Sequence, residues 1–210
     1  ACRSDNLPST SSVLTAKNKI MKKTLLLTLA LLLSVTIFAQ NRSVLLRETF
    51  DSMSLPTGWT VSDNSTDNWS ISTTNRAGGE ANELRFSAEP KSVGTSRIIT
   101  TPIDLSGLST VTMSFRHFFD KKTYSAVIGI ATSSNNGQTW NAAWSQSYSE
   151  AGQYNVIASL KNNDMGKDNV LFCIYFQGNS TNINNWYFDD IEITSMEAID
   201  AKAQSIDLGD

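Results

Sequence analysis

The chain of 210 residues has little of what most catalytic or cross-linked domains rely on: two cysteines, one histidine and four prolines. Cys2 lies far upstream of the rest, so Cys173 stands alone in the main body and no intramolecular disulfide can form there. Cys173 sits in the apolar run Val170-Leu171-Phe172-Cys173-Ile174-Tyr175-Phe176 and reads as a small buried hydrophobe. One His and one Cys cannot build a Cys/His metal cluster, and no G-x-S-x-G, H-E-x-x-H or glycine-rich phosphate loop is present. Basic residues are sparse and scattered, with Lys121-Lys122 the one adjacent pair beyond residue 39. No basic stripe exists to neutralise a phosphate backbone, which excludes nucleic-acid binding.

The long hydrophobic run is confined to residues 24–39 (TLLLTLALLLSVTIFA), preceded by Met21, Lys22 and Lys23. A basic start, an apolar centre shorter than the ~20 residues of a membrane helix and a small residue before Gln40 describe a cleaved secretory signal peptide. No Cys follows it to carry a lipid anchor. Residues 1–20 show no periodicity and read as an over-extended gene start. The expected organisation is therefore a leader over 1–20, a signal peptide over 21–39, one domain over 41–195 and a charged tail or linker over 196–210. The chain is expected to be secreted or held at the cell surface, without a membrane span in its mature form. Beyond residue 39 it carries 12 Lys and Arg against 19 Asp and Glu, a net charge of −7.

What remains is a succession of short runs rich in β-branched and aromatic residues, separated by Gly, Asn, Ser and Thr clusters, with no sustained helical period. Strands are expected at 43–50, 59–61, 68–72, 83–87, 96–100, 110–118, 124–132, 154–159, 169–177 and 185–194. Ten short strands of this kind form an all-β sandwich of two antiparallel sheets. Val111, Met113 and Phe115 alternate with polar residues, as in a strand with one buried face. His117 is read as a polar strand residue turned away from Met113 and Phe115, not as a catalytic base.

Two segments carry chemistry. Ser133-Ser134-Asn135-Asn136-Gly137-Gln138-Thr139-Trp140 has the Asn-Gly of a tight hairpin, and its S-x-N-x-G-x-T-W spacing resembles the Asp-box turn, in which a polar side chain closes the loop over a Trp. Trp186-Tyr187-Phe188-Asp189-Asp190-Ile191-Glu192-Ile193-Thr194 runs three aromatics into adjacent carboxylates. With Ile191 and Ile193 inward, strict alternation puts Tyr187 and Asp189 on their face and Phe188, Asp190 and Glu192 on the other. One Asp is then near the core, where a carboxylate is costly unless paired or bound to metal. Calcium, which takes six to eight oxygen ligands, solves that cost. Glu48 and Asp51 on the first strand supply further carboxylates, because first and last strands are often neighbours in sandwiches. The alternative is that Glu48 pairs with Arg47, Arg97 or Arg116 and Asp189 caps a turn. The oxygen-rich loop Asp63–Asn68 lacks an EF-hand's spacing and reads as a solvated turn.

In order, Glu48-Thr49-Phe50-Asp51, Leu55-Pro56-x-Gly58-Trp59, Asn68-Trp69, the S-x-N-x-G-x-T-W hairpin and Trp186-Tyr187-Phe188-Asp189-Asp190-Ile191 resemble the cleaved-adhesin, or choice-of-anchor J, domain of secreted and surface proteins of the Bacteroidetes. The similarity covers about 44–195 and extends distantly to MAM domains. It implies a jelly-roll β-sandwich with structural calcium, its ligands falling among Glu48, Asp51, Asp189 and Asp190 with backbone carbonyls completing the shell. It also implies an adhesive, non-catalytic role, with an extracellular glycan or a host or matrix protein as partner. Aromatics outside the obvious core phases, Trp140, Trp144, Tyr148 and Tyr154, are the candidate ligand-binding residues. Two alternatives remain: a structural or assembly domain of the cell surface, and a sandwich glycosidase using Asp190 and Glu192.

Overall fold

The computed structural model describes residues 42–63 and 66–196. The expected leader, signal peptide and nearly all of the tail lie outside the described residues. Eleven strands follow in order: β1 (Arg42–Glu48), β2 (Thr60–Asp63), β3 (Trp69–Ser72), β4 (Glu83–Ser87), β5 (Val93–Ile99), β6 (Val111–Lys121), β7 (Val127–Ser133), β8 (Asn141–Gln146), β9 (Gly152–Leu160), β10 (Leu171–Asn179) and β11 (Ile183–Met196). Single 3₁₀ turns at Thr66–Asn68 and Ser180–Asn182 lead into β3 and β11.

The strands form two antiparallel sheets facing each other, as expected of a jelly roll. A six-stranded sheet runs β3-β4-β11-β6-β9, with β1 also on β11, and a five-stranded sheet runs β2-β5-β10-β7-β8. Their inner faces meet in one core that includes Phe50, Phe86, Met113, Phe115, Ile128, Ile130, Phe172, Phe176, Trp186, Phe188 and Ile193. Phe115 stacks on Phe188 at 4.6 Å and Phe86 on Phe176 at 4.4 Å between centroids. Among the described residues no helix is long and apolar enough to cross a membrane.

Three expectations are corrected here. β8 was not foreseen, because Asn141-Ala142-Ala143-Trp144-Ser145-Gln146 has no β-branched residue. His117 lies in phase with Met113 and Phe115, because β6 runs past β9 without a register shift from Val111 to Phe119, and it is fully buried. On β11, Trp186 and Phe188 face the core together with Ile191 and Ile193. Asp189 pairs with Arg116 and Glu192 with Ser114, so one residue too many lies between them on β11. That bulge, with Asp190 at φ 50°, resets the alternation. Tyr187 and Asp189 therefore take the face opposite to Ile191, not the same one.

Candidate functional site

β1 pairs along the end of β11, with Glu48 opposite Ile191, so the first and last strands do lie side by side. After Glu48 the chain turns through Phe50 at φ 53°, which drives its ring into the core against Trp59 at 5.8 Å. The Glu48 carboxylate stabilises that turn by accepting the Phe50 amide at 2.8 Å. Asp51 follows, its carboxylate accepting the Thr49 hydroxyl at 2.7 Å and its carbonyl accepting Asn82 Nδ2 at 2.8 Å.

At the bulge, Asp189 is 1% exposed and its Oδ1 accepts the Asp190 amide at 2.8 Å. Burial, then the charges of Asp190, Glu83 and Asp51, push its carboxyl up to about 7. Asp190 meets Arg116 Nε at 3.0 Å. Glu83, which the sequence reading did not single out, is buried and accepts the Arg76 and Ala77 amides at 2.8 and 2.7 Å. It thereby folds the loop before β4 over this end of the sheet. Gly79 in that loop, at φ 104°, has no side chain, and a Cβ there would sit 2.8 Å from Asp190 Oδ2 and 2.9 Å from Asp189 Oδ2. The two carboxylates thus converge on one small space under the loop. Glu192 points from the same sheet into a groove of ≈340 Å³ lined also by Arg47, Arg116 and Asp190. Among the described residues no three His, Cys, Asp or Glu side chains are grouped as a ready metal site.

The four candidate aromatics divide between two places. Trp144, Tyr148 and Tyr154 pack on the core around His117. Tyr148 stacks on Tyr154 at 3.9 Å, and its hydroxyl meets His117 Nε2 at 3.1 Å. Burial lowers His117 to about 4 and raises Tyr148 to about 12, so the imidazole is neutral and its buried Nδ1 has no hydrogen-bond partner.

Trp140 stands apart, on the outer face of the five-stranded sheet. The Asp-box-like turn holds it: Asn135 Oδ1 accepts the Thr139 amide at 3.0 Å and the Ser133 hydroxyl at 2.9 Å. Gly137 sits over the Trp140 ring, where a Cβ would be 3.4 Å from it. Arg97 lies 5.6 Å from the ring centroid. With Thr95, Ala131, Ala142, Tyr175 and Gln177 these residues enclose an open hollow of ≈160 Å³. Tyr175, missed in the sequence, lies flat across Gly129, where a Cβ would fall 2.5 Å from its ring. Its hydroxyl bonds with Ser145, and burial raises it above the usual phenol range. A small floor with an aromatic on it, an aromatic wall and planar polar groups at the rim is suited to holding a polar ring-shaped ligand.

No protein-family model matches the sequence, nor does any curated protein. Solved structures do. The K1 cleaved adhesin domain of Lys-gingipain from Porphyromonas gingivalis W83 superposes with a TM-score of 0.56 at 13% identity, covering 74% of this chain and 98% of that one. The fold is that of the cleaved adhesin domains. The K3 domain of the same protein gives 0.55 at 16%, covering 73% and 99%. The CBM22-1 xylan-binding domain of Paenibacillus barcinonensis Xyn10C gives 0.55 at 11%, covering 76% and 99%. The cleaved-adhesin-like fold thus brings the β11 bulge and the Trp140 hollow onto the outer faces of different sheets.

Proposed function

We propose that this is a secreted, non-catalytic, adhesin-type module that binds carbohydrate in the hollow between Trp140 and Tyr175. The observation that carries it is the hollow itself: Tyr175 laid on Gly129 and Trp140 held up by the hairpin. Their ring faces pack on the apolar face of a sugar, while Arg97, Gln177 and Thr95 hydrogen-bond its hydroxyls. The likeness to a xylan-binding domain supports this reading, and xylo-oligosaccharides belong among the first probes.

The test is a glycan and matrix-protein array with the chain from residue 41, followed by titration of any hit. Saturable glycan binding, weakened about tenfold or more by Trp140→Ala and by Tyr175→Ala, is the expected result. A blank array from folded protein, or binding that survives both substitutions, overturns it. Binding confined to matrix proteins replaces the carbohydrate by a protein partner.

We further infer that calcium braces the β11 bulge. Buried Asp189, its crowding by Asp190, Glu83 and Asp51, and the convergence of two carboxylates on Gly79 fit a hard cation held by oxygen. Asp189 and Asp190 would hold it, with Glu48 or Asp51, backbone carbonyls and water completing the shell. Bound there, the ion would offset the charge of the bulge and tie β11 to the loop before β4. Chelation is expected to lower the melting temperature by several degrees, and Asp189→Asn to abolish that response. A melt indifferent to chelator removes the metal from the domain.

A further inference from the structure

β9 ends the six-stranded sheet. It pairs with β6 on one side, and no other backbone among the described residues bonds to its free edge. Exposed edges are usually blunted by charge, proline, a bulge or shortness, since their unpaired N–H and C=O groups template further pairing. The short edges β2 and β3 have four residues each. β8 has six and a register shift, and β1 carries Arg42, Arg47, Glu48 and a bulge. β9 has none of these devices: Gly152-Gln153-Tyr154-Asn155-Val156-Ile157-Ala158-Ser159-Leu160 is nine residues without a charge or a proline, and its register is unbroken. Ile157, near its middle, is 80% exposed on the outer face between Asn155 and Ser159.

We propose that β9 is a dimerisation edge, on which β9 of a second copy of this chain adds antiparallel to extend the sheet through both molecules. Charge selects the second copy as occupant. The strand is flanked by exposed Glu150 at its start and exposed Lys161 at its end. Antiparallel self-pairing centred on Val156 sets Glu150 of each copy opposite Asn162 of the other and next to its Lys161, at both ends of the ladder. A two-fold axis perpendicular to the sheet keeps both outer faces on one side, so the two Ile157 side chains shelter each other near the axis. The contact is isologous and closed, which stops growth at two. It leaves the Trp140 hollow untouched, because that lies on the other sheet.

Mass measurement by light scattering across a dilution series of the mature chain tests this. A dimer is expected whose dissociation constant rises about tenfold or more with Ile157→Lys, a side chain so exposed that the fold tolerates the change. Glu150→Lys alone is expected to weaken the dimer, and adding Lys161→Glu to restore it. Amides of β9 that do not bond to β6 are expected to exchange more slowly as concentration rises. A monomer at about 100 μM, or a dimer indifferent to Ile157→Lys, overturns the proposal.

Discussion

His117 links burial to pH. Its folded value near 4 lies below the ordinary 6.5, so between these limits the unfolded chain binds a proton that the folded chain refuses. Stability contributed by the neutral imidazole is full above pH 6.5 and is lost as pH falls towards 4, by roughly 3 kcal/mol in all. Asp189, raised to about 7, works in the opposite sense over the same range, so the loss is read as the difference between the wild type and His117→Gln in denaturant melts at pH 7 and 4.5: the wild type should lose more stability, or gain less, than the variant. Gly129 makes the complementary case, where an absent side chain shapes the site. A methyl there would meet the Tyr175 ring and, at 2.6 Å, the Trp144 carbonyl oxygen, and the latter cannot move aside. Gly129→Ala is expected to cost about 1–3 kcal/mol by overpacking and to weaken sugar binding by displacing Tyr175. Retained affinity in that variant, measured by titration calorimetry, would separate Tyr175 from the ligand.

Among the elements, the β7–β8 hairpin and β11 show what a sequence discloses. The turn between β7 and β8 was legible, though β8 was not, because its chemistry is local: Asn135, Gly137 and Thr139 bond within residues 133–139. Asn135→Ala, which leaves the Thr139 amide without its acceptor, should cost about 1 kcal/mol and loosen Trp140, read as a lower melting temperature and a faster ligand off-rate. β6 was legible through Val111, Met113 and Phe115, and its alternation simply continues to His117. The β11 bulge was not legible, because nothing in Trp186-Tyr187-Phe188-Asp189-Asp190-Ile191 marks which residue is extra until β6 fixes the register. The acidic pair carries only a tolerance of Asp for positive φ. Tyr175 was hidden for a similar reason. Its run reads as continuous core, and only pairing with β7 puts it opposite Gly129 on the outer face.

For the whole molecule, the closing contact is between its first and last strands. β1 covers the stretch of β11 from Ile191 to Met196, where the core residues Ile191 and Ile193 sit. A chain beginning at Thr49 is expected to lose its cooperative melt, which differential calorimetry would show as a missing or broadened transition. Sheet order adds a kinetic corollary. β4 waits for β11, β6 for β9 and β5 for β10, so most pairings join distant segments and folding belongs to the slow, non-local class.

The pairing of Arg42 with Met196 means that the chain enters and leaves the domain at the same point. Tension between the two ends would load the β1–β11 ladder one hydrogen bond at a time, peeling it like a zip and not shearing it as a block. The tear would run from Arg42 towards Glu48 and arrive at the carboxylates of the bulge, where a bound cation would act as a rivet. In a force spectrometer the domain is therefore expected to yield at low load, with a rupture step that calcium raises and chelator removes.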